Sequence, residues 1–216
     1  MDLIVGGQSA TIGILEHSLL VTSGLRSSDT IVDIGCGSGR LSTRLASRHE
    51  GKFIGTDILE ELTGYATKKA GRDDWEFHVA TKPPLPIEDG AADVVCAFSV
   101  FTHLLDEDIF KYMAEAHRIM KPGGKLIFSY LDFAVPSHWA IFELTLADPN
   151  PNAVLNKFVS KDAIRVWAEK LGFTVDHLHD GHVEWISLLE DIQYVDGRKA
   201  SGLTGFGQSV AVLSKP

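Results

Sequence analysis

Cysteine, methionine and basic runs are the scarce features of this 216-residue sequence. There are two cysteines and three methionines, and lysine and arginine never form a run. Cys36 and Cys96 lie in apolar surroundings and not at the spacings of a disulfide framework, so both read as reduced structural thiols. With 20 Lys+Arg against 29 Asp+Glu the net charge is −9, which excludes capture of nucleic acid or an anionic membrane by clustered cations. The longest apolar stretch, residues 94–101 with Ser99 inside it, falls far short of the roughly 20 residues of a spanning helix. No membrane insertion is expected. The opening residues carry no basic segment leading into an apolar one, so the expected location is cytoplasmic.

What the chain does have is an ordinary globular composition, 44% hydrophobic and 23% charged, consistent with one domain over residues 1–216. Short β-branched runs at 30–34, 52–56, 76–80, 92–98, 125–130, 173–178 and 209–213 alternate with amphipathic stretches. That alternation predicts βαβ units and an α/β fold with a parallel sheet. The clearest helix spans 106–120, with Ile109, Phe110, Met113, Ala116 and Met120 on one face and Pro122-Gly123-Gly124 after it. A second spans 160–171, opening at a capping Ser160 and stopping at Gly172. Residues 131–159 and 181–207 break the alternation and are candidate substrate walls, with the N-terminal stretch 1–27 a third.

The most informative residues run from Ile31 to Leu41: a strand, a glycine turn with Gly35, Gly37 and Gly39, then a helix. Glycine is needed where the backbone turns sharply or a ligand approaches the main chain closely. A dinucleotide turn wants G-x-G-x-x-G; here the sixth position is Arg40 and the glycines read G-x-G-x-G. With Asp33 two residues before Gly35, this resembles motif I of the class I S-adenosylmethionine (SAM) dependent methyltransferases. Four further segments are similar to that family's: Asp57 closing the second strand, Leu85-Pro86 through Asp93-Val94-Val95, Ser99 through His103, and Arg118 through Pro122-Gly123-Gly124. Together they cover roughly residues 28–130.

The resemblance implies a Rossmann-like seven-stranded sheet in the order 3-2-1-4-5-7-6, the last strand antiparallel, with helices on both faces. It also implies SAM as cofactor. The backbone at Gly35, Cys36 and Gly37 would face the methionine part, Asp33 would order the site near its ammonium, Asp57 would hold the ribose and Ile58 would pack on adenine. Phe98, at the end of the fourth strand, belongs to the same cofactor set. Thr81 stands where the family often has an acid for the adenine amino group.

The acceptor side is read from single residues. His103, ending the fourth strand, suits a general base for a hydroxyl acceptor, or else it shapes the pocket through backbone hydrogen bonds. His138 and Trp139 lie where many family members build the acceptor pocket, and Trp139 could stack on a ring or anchor its loop on the core. His177, His179 and His182, with Asp176, Asp180 and Glu184, read as the polar dress of an edge strand, and no metal is expected. The expected activity is methyl transfer to an oxygen or nitrogen of a small-molecule acceptor, by a monomer or homodimer. The alternative is a SAM-binding sensor or partner subunit without catalysis.

Overall fold

The computed structural model describes residues 9–150 and 152–216, so residues 1–8 of the expected N-terminal wall lie outside the described residues. The elements run α1 (Ser9–Thr22), β1 (Ile31–Ile34), α2 (Arg40–Leu45), β2 (Phe53–Asp57), α3 (Glu60–Ala70), β3 (Glu76–Val79), β4 (Ala92–Ala97), α4 (Asp106–Ile119), β5 (Met120–Tyr130), α5 (Pro136–Ala147), α6 (Lys161–Leu171) and β6 (Thr174–His179). Four two-residue strands follow, β7 (Ile186–Ser187), β8 (Ile192–Gln193), β9 (Lys199–Ala200) and β10 (Leu203–Thr204), and then β11 (Ser209–Ser214).

Seven strands form one sheet in the order β3-β2-β1-β4-β5-β11-β6. The first five pair in parallel, and β11 runs antiparallel to both β5 and β6. This is the order and polarity the family resemblance implies. Each face of the sheet carries its own core, because strands covered on both sides are apolar on both sides. On one face Val32, Val95, Leu126 and Phe128 meet α4 and α6 through Ile109, Met113, Ile164 and Ala168. On the other, Ile31, Val94, Cys96 and Val212 meet α1 and α2 through Leu15, Leu19, Leu41 and Leu45.

Capping of α6 is as the sequence predicts: the Ser160 hydroxyl accepts from the Ala163 amide at 3.2 Å, and Gly172 closes the helix in the left-handed region. β5 is longer than predicted. It begins at Met120, paired with Ala92, and runs through Pro122-Gly123-Gly124, with the register slipping between Ala92 and Val94. A Cβ at Gly124 would come within 2.9 Å of the Lys121 carbonyl and 3.0 Å of that of Asp93, so the bulge needs glycine there. α5 is a helix the sequence pattern does not announce; of its twelve residues only His138 is fully buried.

The insertion at 181–207 folds back over α1. The Leu189 amide donates to the Ser18 hydroxyl at 3.2 Å, that of Ser187 to the Thr22 hydroxyl at 3.1 Å, and Arg44 pairs with Glu190 at 2.8 Å. Most of the segment is thus a strap holding α1 against α2, and only its last residues reach the carboxyl edge of the sheet. Among the described residues no helix is long and apolar enough to cross a membrane.

Candidate cofactor and acceptor site

The site lies at the carboxyl ends of β1, β2 and β4, where open α/β sheets leave a crevice. β1 ends in a turn in which Gly35, Gly37 and Gly39 all have left-handed φ, at 72°, 54° and 80°. The amides of Gly35 and Cys36 both donate to the Thr56 carbonyl, at 2.8 and 2.9 Å. Asp57 pins the turn from the next strand: one carboxylate oxygen accepts from the Gly37 amide at 2.9 Å, the other from the Leu59 amide at 3.1 Å. An ionised carboxylate has about four acceptor positions, so two remain for the hydroxyls of a ribose.

Beside Asp57, Ile58, Leu59 and Val79 are exposed apolar side chains, with Ile58 59% accessible. They form a shelf suited to the flat face of a nucleobase. Thr81 lies two residues beyond β3 and is exposed, and the Ala80 amide ties this segment to the Asp57 carbonyl at 2.8 Å. The Cys36 side chain packs across Gly55, where a Cβ would meet its sulfur at 2.9 Å. Burial and the nearby Asp33 and Asp57 push the Cys36 thiol far above its ordinary range, which makes it a packing group.

Asp33 is buried beneath the turn and accepts from the Cys96 thiol at 3.6 Å. Burial, and then the charge of Glu16, push its carboxyl up to about 8 against the opposing pull of Arg40. Glu16 reaches in from α1, 1% exposed, with one oxygen 2.7 Å from the Arg40 guanidinium. α1 comes this close because Gly13 lies on the Arg40 backbone; a Cβ there would stand 2.7 Å from the Arg40 carbonyl oxygen.

At the end of β4 the chain adopts a left-handed φ of 58° at Ser99, a position where a non-glycine residue is strained. The Ser99 amide donates to the Ser129 hydroxyl at 2.8 Å, and its own hydroxyl faces Gln208 at 3.4 Å. Phe98 is buried and packs on Phe206, ring centres 5.4 Å apart. His103 closes a short 3-10 turn at Phe101–His103 and is exposed. Its Nδ1 is 2.7 Å from the Leu155 carbonyl oxygen. A carbonyl only accepts, so Nδ1 carries a proton, and the neutral ring keeps its lone pair at Nε2.

His138 and Trp139 divide. His138 is 1% exposed and uses both ring nitrogens: Nδ1 accepts from the Asp132 amide at 3.0 Å, and Nε2 donates to the Gly207 carbonyl at 2.9 Å. It staples α5 to the end of the 181–207 strap and presents nothing to an acceptor, which corrects its expected role. Trp139 is 45% exposed and joins a cluster in which Phe133 and Phe158 stack at 4.5 Å, with Phe142 edge-on to both. On the edge strand His177 stacks on His179, and His179 on Trp185 at 4.1 Å.

Glu16, Arg40, Ser99, Phe206 and Gln208 are the site residues that sequence reasoning missed. Arg40 had a signal, an unexplained charge directly after the glycines. Ser99 lies in the family-like segment after β4 and shows its strained φ only in the structure, while Glu16, Phe206 and Gln208 come in through the crossing of α1 and the return of the strap.

Comparison with known proteins bears on the family and the fold. Residues 32–128 match a family described as a methyltransferase domain. The chain is 32% identical over 106 residues to 27-O-demethylrifamycin SV methyltransferase of Amycolatopsis mediterranei, covering 47% of this chain and 38% of that protein. It is 26% identical to the malonyl-[acyl-carrier protein] O-methyltransferase of Hahella chejuensis, covering 94% of this chain and 74% of that protein. The chain spans about two fifths of the length of several curated relatives it matches. Among solved structures, the putative methyltransferase bound to the Haloferax volcanii Trm112 activator has a TM-score of 0.70 at 21% identity, covering 100% of this chain and 93% of that one. Magnesium protoporphyrin IX methyltransferase of Synechocystis, solved with bound S-adenosylhomocysteine (SAH), has a TM-score of 0.66 at 17% identity, covering 97% and 86%. These two likenesses establish the fold.

Proposed function

We propose that this chain, whose residues 32–128 match a methyltransferase domain, is a class I SAM-dependent methyltransferase that moves a methyl group from SAM to an oxygen or nitrogen of a small-molecule acceptor. The observation that carries this reading is the arrangement at one sheet edge: a glycine turn pinned by Asp57, and a histidine after β4 whose Nε2 is free to take a proton. The residues present fit the cofactor. Two acceptor positions on Asp57 match two ribose hydroxyls, the shelf of Ile58, Leu59 and Val79 matches adenine, and the acidic floor at Asp33 and Glu16 matches a cation. Bound SAM supplies a methyl already activated on a sulfonium.

The protein's share of the work is then to bind, align and accept a proton. Asp57 and the backbone at Gly35, Cys36 and Gly37 fix the nucleoside and amino-acid ends, which holds the donor in one attitude. Trp139 and the Phe133 cluster offer a flat apolar wall to the acceptor. His103 takes the acceptor's proton at Nε2 while the Leu155 carbonyl keeps the ring oriented through Nδ1. Two buried free thiols, Cys36 and Cys96, suit a reducing compartment, in keeping with a cytoplasmic location.

A second reading is a chain that binds SAM and acts through a partner; it draws on the neighbour solved with its Trm112 activator. Thermal-shift titration with SAM, SAH and NADH is the first test, since a ligand that binds the native state raises the melting temperature. Shifts with both sulfur nucleosides and none with NADH are expected. Absence of a SAM shift overturns the cofactor assignment. A SAM shift without methyl transfer to any of a panel of hydroxyl and amine acceptors favours the partner-dependent reading.

A further inference from the structure

Beneath the glycine turn two buried acids share one base. Glu16 and Asp33 are 1% and 5% exposed, and Arg40 is the guanidinium that faces both. One Glu16 oxygen stands by Arg40 as a charge pair, and neither oxygen has a well-formed hydrogen bond among the described residues. The remaining groups facing Asp33 add no cation: the thiol of Cys96 from β4, Cys36 in the turn, and the carboxylate of Asp57 from β2. Were both acids ionised, one buried negative charge would lack a counter-ion, a costly state in a low-dielectric interior. One of them therefore keeps its proton. Burial pushes the Glu16 carboxyl up as well, but the guanidinium at 2.7 Å opposes that rise, while Asp33 has only a thiol donor and is raised further by Glu16; the charge therefore sits on Glu16.

We propose that the Glu16–Arg40 pair makes cofactor capture proton-coupled: Asp33 stands neutral in the free protein and gives up its proton when the ligand's ammonium enters, with Glu16 the positioning residue that sets this exchange. The inference rests on the reading that this pocket takes the amino-acid end of SAM. The proton passes from the Asp33 carboxyl to solvent, and no bond of the ligand is made or broken. The elevated carboxyl of Asp33, about 8, places the exchange at working pH. Binding that lowers such a value is favoured by raising the pH, so affinity climbs towards pH 8 and levels beyond it.

The test is titration calorimetry near pH 7 in two buffers of different ionisation enthalpy, with SAH and with 5′-methylthioadenosine, which shares the nucleoside but lacks the amino-acid end. SAH is expected to release most of one proton per molecule bound and 5′-methylthioadenosine none. Affinity for SAH should rise about five- to tenfold from pH 6 to pH 7. Asp33→Asn should abolish both effects. Glu16→Gln should reduce the release at pH 7 and move the rise in affinity to lower pH, because Asp33 loses its negative neighbour and gains the guanidinium. Binding of SAH by the unaltered protein without proton release overturns the proposal and leaves the cofactor reading standing. So does an unchanged profile in Glu16→Gln, or, should that variant not fold, proton release retained by Asp33→Asn. Failure of both nucleosides to bind overturns the cofactor reading and the proposal together.

Discussion

The two halves of the sheet's carboxyl edge are built from different material. Around β1 and β2 the site is mostly backbone: three left-handed glycines, two amides on the Thr56 carbonyl and two on Asp57. Around β5 and β11 it is mostly side chains: the aromatic cluster about Phe133, the buried staple of His138, and Gln208 against Ser99. A backbone cradle tolerates little change, since any Cβ or altered φ moves several hydrogen bonds at once. An aromatic wall on a helix can be resurfaced one residue at a time. A half that must hold one invariant cofactor and a half that selects an acceptor would be expected to differ in this way.

The comparison breaks most visibly at Asp57. Asp57→Ala removes the acceptor of two backbone amides together with the ribose contacts proposed for it, and charge-assisted hydrogen bonds contribute about 1.5–3 kcal/mol each. SAM affinity should fall by at least ~100-fold in calorimetry. A loss below about threefold would mean that the turn is held without it. Next in size is His103→Ala, which should lower turnover about 100-fold, as loss of a general base does, with SAM affinity within about twofold of the parent. Equal losses in both would make His103 a strut between the β4 turn and the Leu155 carbonyl.

The same contrast explains what could be read in advance. The cradle was legible because its constraints are local: glycines at Gly35, Gly37 and Gly39 and an acid at Asp57 fall into a spacing that needs no tertiary knowledge. α5 was not, because its residues are apolar around the whole circumference and leave no helical period to detect. β5 hides its first turn behind Pro122-Gly123-Gly124, which read as a stop and form a bulge. Glu16 and Arg40 are distant in sequence and become a pair only when Gly13 lets α1 settle on α2. His138 misled for a related reason: a polar residue in an apolar stretch resembles a functional group until the strap supplies its second partner at Gly207.

Asp33 sharpens the comparison by setting binding against stability. Its folded carboxyl, raised by burial and then by Glu16, lies near 8, whereas an unfolded aspartate titrates near 3.9. A raised folded value gives a contribution fully present below about pH 4 and lost progressively as pH rises towards 8. Asp33→Asn cannot ionise and escapes that loss. Without ligand the variant should be up to about 5 kcal/mol more stable than the parent at pH 8, or ~10–20 °C in melting temperature. The gap should close towards pH 4, and SAM should stabilise the parent far more than the variant. A variant less stable than the parent at pH 8 would mean that the buried charge is already compensated.

On the acceptor side the adjacent residues His138 and Trp139 should separate by assay. His138→Ala strands the Asp132 amide and the Gly207 carbonyl, so it should cost about 2 kcal/mol in thermal or urea unfolding. Trp139→Ala removes a half-exposed ring whose indole NH meets only Glu143, and should cost less than about 1 kcal/mol of stability. Its effect belongs to the acceptor: KM for an acceptor with a ring or apolar body should rise about three- to tenfold, with SAM affinity unchanged, because stacked aromatic contacts contribute about 0.5–1.5 kcal/mol. Should Trp139→Ala instead destabilise the fold as much as His138→Ala and leave KM alone, the ring is an anchor of α5, and the acceptor wall has to be sought nearer Ser99 and Gln208.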